Sequence, residues 1–201
     1  MKIKVILLVI TGSFLFSCSF LAGPVPKIQD ESASSPANIY TLRDTGPANG
    51  WVFYDKGSYS DGWRYLEAAP ADQLQSTWGD NTTLLLGANG TAVGTGTQNT
   101  LDIISEDITA NKAADQCEAY SISNNGINFT DWFLPSKNEL AQMYIELKDQ
   151  VPSVGGFAPG IYYWSSSQSA ITSAWGQHSG TNLQSNQPKT NSFKVRCIRS
   201  F

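Results

Sequence analysis

The residues with the most distinctive chemistry are three cysteines and a single histidine: Cys18, Cys117, Cys197 and His178. Zinc sites and thiol nucleophiles need cysteine and histidine in recognisable patterns, such as Cys-x-x-Cys. His178 has no ligand spacing to either later cysteine, and no Cys-x-x-Cys occurs. In an exported chain an even pair of cysteines is most simply a disulfide. We therefore expect Cys117 and Cys197 to be joined, with a metal site or a reactive thiol as the less suitable alternatives.

Hydrolytic chemistry has little support in the sequence. Serine catalysis needs a base beside the nucleophile, yet His178 is the only histidine and no Gly-x-Ser-x-Gly elbow occurs. A glycosidase needs two carboxylates on either side of the bond. The acids Asp115, Asp131 and Glu139 are scattered, and helix capping or solvation explains them. The sequence therefore predicts no catalytic residue, no enzyme, no bound metal and no cofactor.

The N-terminal segment has the pattern of an export signal. Lys2 and Lys4 flank the start of an apolar stretch, Ile3 to Phe16, which is shorter than the roughly 20 residues of a membrane-spanning helix. Leu15-Phe16-Ser17-Cys18 resembles the bacterial lipobox, so we expect residues 1–17 to be a lipoprotein signal peptide and Cys18 the lipidation site. A plain secretory signal is the alternative. Acyl chains on Cys18 would anchor the protein to the envelope, at the outer membrane or cell surface.

Composition predicts one folded domain after a tether. The chain has 201 residues, 15% charged and 11% aromatic. Residues 18–38 are rich in Ser, Ala and Pro, as in a flexible tether, and residues 39–201 form the domain. A net charge of -4 and a pI near 4.9 argue against a nucleic-acid partner, because phosphate binding needs basic residues.

The order of predicted elements indicates an α+β fold. Aromatic and β-branched residues predict a hairpin from 51–54 and 62–68, and residues 78–100 read as a long loop. A helix is expected over 107–121, with Cys117 on its buried face. Ser136 and Glu139 form a capping box that begins a second helix. Three strands are expected at 161–166, 173–177 and 193–199, with pairing between early and final strands.

Five ordered motifs resemble the Lcl C-terminal family over residues 46–201. They are residues 46–57, 61–70, 131–140, 163–167 and 195–199. The resemblance implies an exported bacterial protein with a C-type lectin-like fold, related also to formylglycine-generating enzymes. It further implies a small antiparallel sheet of early and final strands, two helices, and a helix tied to the last strand by Cys117 and Cys197.

The resemblance also makes the polar segment 164–190 the ligand-facing region. Amides interleaved with aromatic rings suit sugar hydroxyls or a polar protein surface, so we expect an extracellular glycan or protein ligand. The predicted ligand-binding residues are Trp164, Trp175, Gln177, His178, Asn182, Gln184 and Asn186. Calcium is not predicted, because Lys189 in Gln187-Pro188-Lys189 stands where a carboxylate ligand would be needed. The alternatives are a catalytic relative of formylglycine-generating enzymes and a structural envelope lipoprotein without a ligand.

Overall fold

The computed structural model of the protein describes residues 39–201. The predicted signal peptide, Cys18 and the 18–38 tether lie outside the described residues. The elements are, in chain order, β1 (Trp51–Ser60), β2 (Trp63–Ala68), β3 (Gln73–Ser76), α1 (Gly96–Glu106), α2 (Ala113–Glu118), β4 (Ile122–Asn124), β5 (Ile127–Phe129), α3 (Lys137–Met143), a π-helical continuation of α3 (Tyr144–Lys148), β6 (Tyr162–Ala170), β7 (Ser173–His178), β8 (Gln184–Pro188), β9 (Phe193–Val195) and β10 (Ile198–Ser200). The α+β class predicted from the sequence is confirmed.

A three-stranded antiparallel sheet joins the early and final strands. Its order is β1-β2-β10, with Ile198 opposite Ala68 and Ser200 opposite Leu66. The C-terminal residue extends the pairing, since the amides of Arg64 and Tyr65 both donate to the carbonyl of Phe201. The predicted hairpin and the predicted pairing of early with final strands are both confirmed.

A five-stranded sheet carries the polar C-terminal segment. Its order is β3-β9-β6-β7-β8; β6 and β9 run parallel and the other pairs are antiparallel. The predicted strand 193–199 is in fact two short strands, β9 and β10, which join different sheets on either side of Arg196 and Cys197. Strand β8 was not predicted, because its sequence Gln-Ser-Asn-Gln-Pro has no apolar alternation. β8 is an outer strand of this sheet.

The helices differ from the expectation in number and position. Residues 39–201 contain three α-helices rather than the expected two, since α1 occupies part of the expected loop and continues beyond it. Only Ala113–Glu118 of the predicted helix 107–121 is helical. Asn111 has a φ of +60°, and Asp107 accepts hydrogen bonds from the amides of Asp80 and Thr109, so residues 107–111 turn instead.

The predicted second helix is confirmed as α3. Ser136 is its N-cap and receives the amide of Glu139, while a Glu139 oxygen receives the amide of Ser136. Leu140 and Met143 point into one of two apolar clusters, which also contains Phe53 and Ile198. The helix therefore packs on the sheet of early and final strands.

The second apolar cluster surrounds the disulfide. Cys117 on α2 is bonded to Cys197, with their Cα atoms 5.3 Å apart, and both residues are fully buried. Trp78, Trp132 and Trp164 are the largest members of this cluster. The disulfide expected from the sequence is confirmed, and it ties α2 to the segment between β9 and β10.

A buried ion network supports the same region. Arg199 donates to Asp131 at 2.8 Å and to Glu67 at 3.2 Å. Glu67 is fully buried and also receives the amides of Ala48 and Gly50. Burial raises the pKa of Glu67, although its hydrogen bonds and the Arg199 charge act in the opposite direction. The network fixes the start of β1 against β2 and β10.

Candidate functional site

Strands β7 and β8 bring several of the predicted ligand residues together. Side chains alternate along a strand, so Trp175 and Gln177 lie on the same side of β7. In the antiparallel register Asn186 is opposite Trp175, and Gln184 is opposite Gln177. Directly opposed residues share a face of the sheet. One side of this outer hairpin thus presents an indole and a row of amides.

The N-terminal end of α3 completes that side. The Lys137 ammonium lies 3.4 Å from the centroid of the Trp175 ring, a cation–π contact. The Gln184 side-chain amide donates to the Lys137 carbonyl at 2.7 Å, and the Lys137 amide donates to Ser167 Oγ at 2.9 Å. We call the surface made by Lys137, Trp175, Asn182, Gln184 and Asn186 the Trp175 face. A ligand that stacks on the ring where Lys137 lies must displace that ammonium.

Gln177 acts beneath this surface rather than on it. Gln177 is 1% exposed, and its Nε2 donates to Asn182 Oδ1 at 2.7 Å. Its Oε1 is buried with no hydrogen-bond partner among the described residues. The amide of Asn182 in turn donates to the carbonyl of His178, which closes the β7–β8 turn. Gln177 therefore positions the exposed Asn182.

His178 belongs to the opposite side of the hairpin. Its ring meets Tyr162 edge-on with centroids 4.9 Å apart. Its Nδ1 accepts the amide of Gly180 at 3.2 Å and lies 3.1 Å from the Thr181 hydroxyl. An Nδ1 that accepts an N–H leaves the proton of the neutral imidazole on Nε2. His178 therefore stabilises the β7–β8 turn from the side of the hairpin opposite Trp175.

Trp164 is a core residue, which corrects its grouping with the surface residues. It is fully buried, its indole N–H donates to the carbonyl of Ser76 at 3.0 Å, and its ring packs 4.7 Å from Phe193. A buried indole whose N–H is satisfied has no atom to offer a ligand. The seven predicted residues therefore do not form one surface: four lie on the Trp175 face, Gln177 lies beneath it, His178 is behind it, and Trp164 is in the core.

Sequence reasoning missed Lys137 as a member of the face. The sequence showed only that Lys137 follows the N-cap Ser136; it did not show which strands the helix would pack against.

Within residues 39–201, no three or more His, Cys, Asp or Glu side chains are grouped to hold a metal ion. No helix in the same range is long and apolar enough to cross a bilayer.

Comparison with known proteins gives a distant similarity to a solved structure. No protein-family model matches the chain, and no curated protein is significantly similar to it. A crystal structure of a fimbrial protein from Bacteroides ovatus aligns with a TM-score of 0.44 and 14% sequence identity. The alignment covers 69% of this chain and 36% of the fimbrial protein, so the chain spans little more than a third of that protein's length.

Proposed function

We propose that this chain is a lipid-anchored bacterial envelope protein whose domain binds a glycan through the Trp175 face. The observation that carries the proposal is the half-exposed Trp175 indole, which lies in one row with amide side chains on the outer strands of the sheet. Aromatic rings stack on the apolar faces of sugars, and amides both donate to and accept from hydroxyl groups. Asn186 is exposed and its side chain has no hydrogen-bond partner in the described part of the chain. It is therefore free to bind a hydroxyl.

The proposed role is binding without catalysis. Cys117 and Cys197 are consumed by the disulfide, so neither is available as a thiol nucleophile. A C-type lectin-like relationship, inferred from the sequence motifs, agrees with a display surface for ligands at the outer hairpin.

The binding experiment is a glycan array and an extracellular-matrix protein panel, probed with the purified chain in calcium and in chelator. We expect a glycan signal that survives chelation. Trp175→Ala should weaken it by about tenfold or more, since a stacking contact and its buried area contribute on the order of 1.5 kcal/mol. Asn186→Ala should weaken it less, and Tyr59→Ala, which removes an exposed aromatic ring from another sheet, should leave it unchanged.

Other outcomes of that experiment decide against the proposal. A signal abolished by chelator would mean metal-dependent recognition. A signal confined to the protein panel would make the ligand a polypeptide. Silence on both panels would favour a structural envelope role for the domain.

The lipid anchor needs a separate experiment, because Cys18 lies outside the described residues. Metabolic labelling with an alkynyl fatty acid should tag the protein and place it in the membrane fraction. Cys18→Ser should abolish both the label and the membrane association. A labelled Cys18→Ser variant would refute the assignment of the lipidation site.

A further inference from the structure

The loop between β3 and α1 carries three consecutive leucines, away from the strands that form the Trp175 face. Leu85 is 1% exposed and packs in the cluster around the disulfide, whereas Leu84 and Leu86 are 49% and 78% exposed. Neighbouring side chains of an extended segment point to opposite sides, so burial of Leu85 turns the other two outward. The leucines line one side of a cavity of about 240 Å³. Its remaining walls are polar: Asn89, Gln168 and Ser169.

This loop is held in place by hydrogen bonds from the five-stranded sheet. Gln168 Oε1 receives the amide of Leu85 at 3.1 Å, and Gln168 Nε2 donates to the Leu85 carbonyl at 3.2 Å. The Lys189 ammonium donates to the Thr83 carbonyl at 3.1 Å. The two exposed leucines are therefore presented on a fixed backbone, and a partner would not have to order them on binding.

Two carboxylates of α1 border the exposed leucines. Glu106 Oε2 receives the amide of Leu86 at 3.1 Å. A Cβ at position 87 would overlap the Asp102 carboxylate, so Gly87 allows the helix to approach the loop this closely. Asp102 receives only a neutral side-chain donor, Gln98 Nε2 at 2.9 Å. We call the surface made by Leu84, Leu86, Asp102 and Glu106 the Leu86 surface.

The negative charge of the Leu86 surface is not compensated by a basic side chain. Within residues 39–201, neither Asp102 nor Glu106 has a Lys or Arg in salt-bridge distance. Residues 65–111 contain six Asp or Glu and no Lys, Arg or His. Lys189 lies under the loop, but it is fully buried and donates to Thr83 and Gln168. A partner of this surface is therefore expected to carry apolar side chains together with positive charge.

We infer that the Leu86 surface docks a basic amphipathic segment of another polypeptide. An apolar side chain of that segment would cover Leu86 and enter the cavity, and its Lys or Arg side chains would pair with Asp102 and Glu106. Two alternative occupants are opposed by the same acids. A symmetric contact between two copies would bring like charges together, and anionic lipid headgroups would be repelled. This inference is independent of the proposed glycan site.

The test is a fluorescence anisotropy titration of labelled synthetic peptides with the purified full chain. The first peptide is a short amphipathic helix of leucine and lysine. In one control peptide serine replaces every leucine, which keeps the charge; in the other glutamate replaces every lysine, which keeps the apolar face. We expect saturable binding of the leucine–lysine peptide alone, and its affinity should fall as ionic strength rises.

Variants of the chain locate the binding surface. Leu86→Ser should weaken binding at least about tenfold, because a leucine covered by a partner contributes that much through its buried apolar area. Glu106→Gln keeps an acceptor for the Leu86 amide and should weaken binding about threefold, as loss of a surface ion pair predicts. The matched controls are Leu74→Ser, at a leucine of β3 that is 76% exposed, and Glu118→Gln, at an exposed acid of α2. Both should bind as the native chain does.

Several outcomes would overturn the inference. These are equal binding of either control peptide, unchanged binding by Leu86→Ser, and no saturable binding of the leucine–lysine peptide. Sedimentation velocity and vesicle co-sedimentation examine the alternative occupants. Self-association of the native chain that Leu86→Ser abolishes would make the surface an interface between copies. Binding to phospholipid vesicles that Leu86→Ser abolishes would make it a lipid contact.

Discussion

Removal of the Cys117–Cys197 bond should be the most damaging simple change to this domain. The bond spans 80 residues of sequence and joins α2 to the segment between β9 and β10. Closing a loop of that length removes about 15 cal/mol/K of chain entropy from the unfolded state, or about 4.5 kcal/mol at 25 °C. The whole stability of a domain is typically about 5–15 kcal/mol. The double variant Cys117→Ala/Cys197→Ala should therefore keep only part of its stability.

Urea unfolding measures this effect directly. With a slope of about 2 kcal/mol/M, the expected loss moves the midpoint down by about 2 M. The native chain in reductant should shift in the same direction, while the double variant should be insensitive to reductant. A double variant within about 1 kcal/mol of the native chain would refute the entropic reasoning, since both cysteines are buried and their replacement can only add packing losses.

Three further predictions concern buried charges. Arg199→Met should lower the free energy of unfolding, measured in urea, by about 3–5 kcal/mol, because it leaves Glu67 buried without a cation. A decrease of less than about 1 kcal/mol would contradict this prediction. Burial raises the folded-state pKa of Glu67 and Glu139 above the ordinary value of 4.5, so folding takes up protons. The stability that these two carboxyl groups contribute is fully present below about pH 4.5 and is lost as the pH rises through their folded-state pKa values. In urea unfolding, Glu139→Gln should make the free energy of unfolding fall less steeply over that pH range, and an unchanged slope would contradict this prediction. Lys189→Met removes the ammonium that donates to Gln168 Oε1 and to the Thr83 carbonyl. Amide hydrogen exchange should therefore become faster in residues 80–90 and stay unchanged in β6. Unchanged exchange in residues 80–90 would show that Lys189 does not stabilise this loop.

Local sequence patterns predicted the elements whose boundaries depend on residues close together in the chain. The capping box at Ser136 and Glu139 depends on residues three apart, and it marks the start of α3 in the structure. The aromatic strand at residue 51 and its partner at residue 63 form the expected hairpin for the same reason. Such features can be read from a short window of sequence, because neighbouring residues make the deciding contacts.

Helix α1 could not be predicted in this way. It begins at Gly96 within Gly94-Thr95-Gly96 and has no side-chain N-cap hydrogen bond. It is fixed instead by distant partners: Asn99 donates to the Gly90 carbonyl and to Ser166 Oγ. Tertiary contacts overrode a poor local propensity.

The candidate site, too, could be predicted only in part from the local sequence. Polar composition located the outer hairpin, but only the β7–β8 register reveals which residues share a face. Along β7, positions 175 and 177 face one side of the sheet and positions 176 and 178 face the other, so a one-residue difference in position changes the face. The polar neighbours of Trp164 in the sequence suggest a surface position, yet its contacts with Ser76 and Phe193 place it in the core.

The most direct test of the central claim is the affinity of the native chain, Trp175→Ala and Tyr59→Ala for the strongest glycan on the array, measured in chelator. We expect the native chain and Tyr59→Ala to bind equally and Trp175→Ala to bind about tenfold more weakly or worse. Equal binding by all three proteins would show that the Trp175 face is not the glycan site.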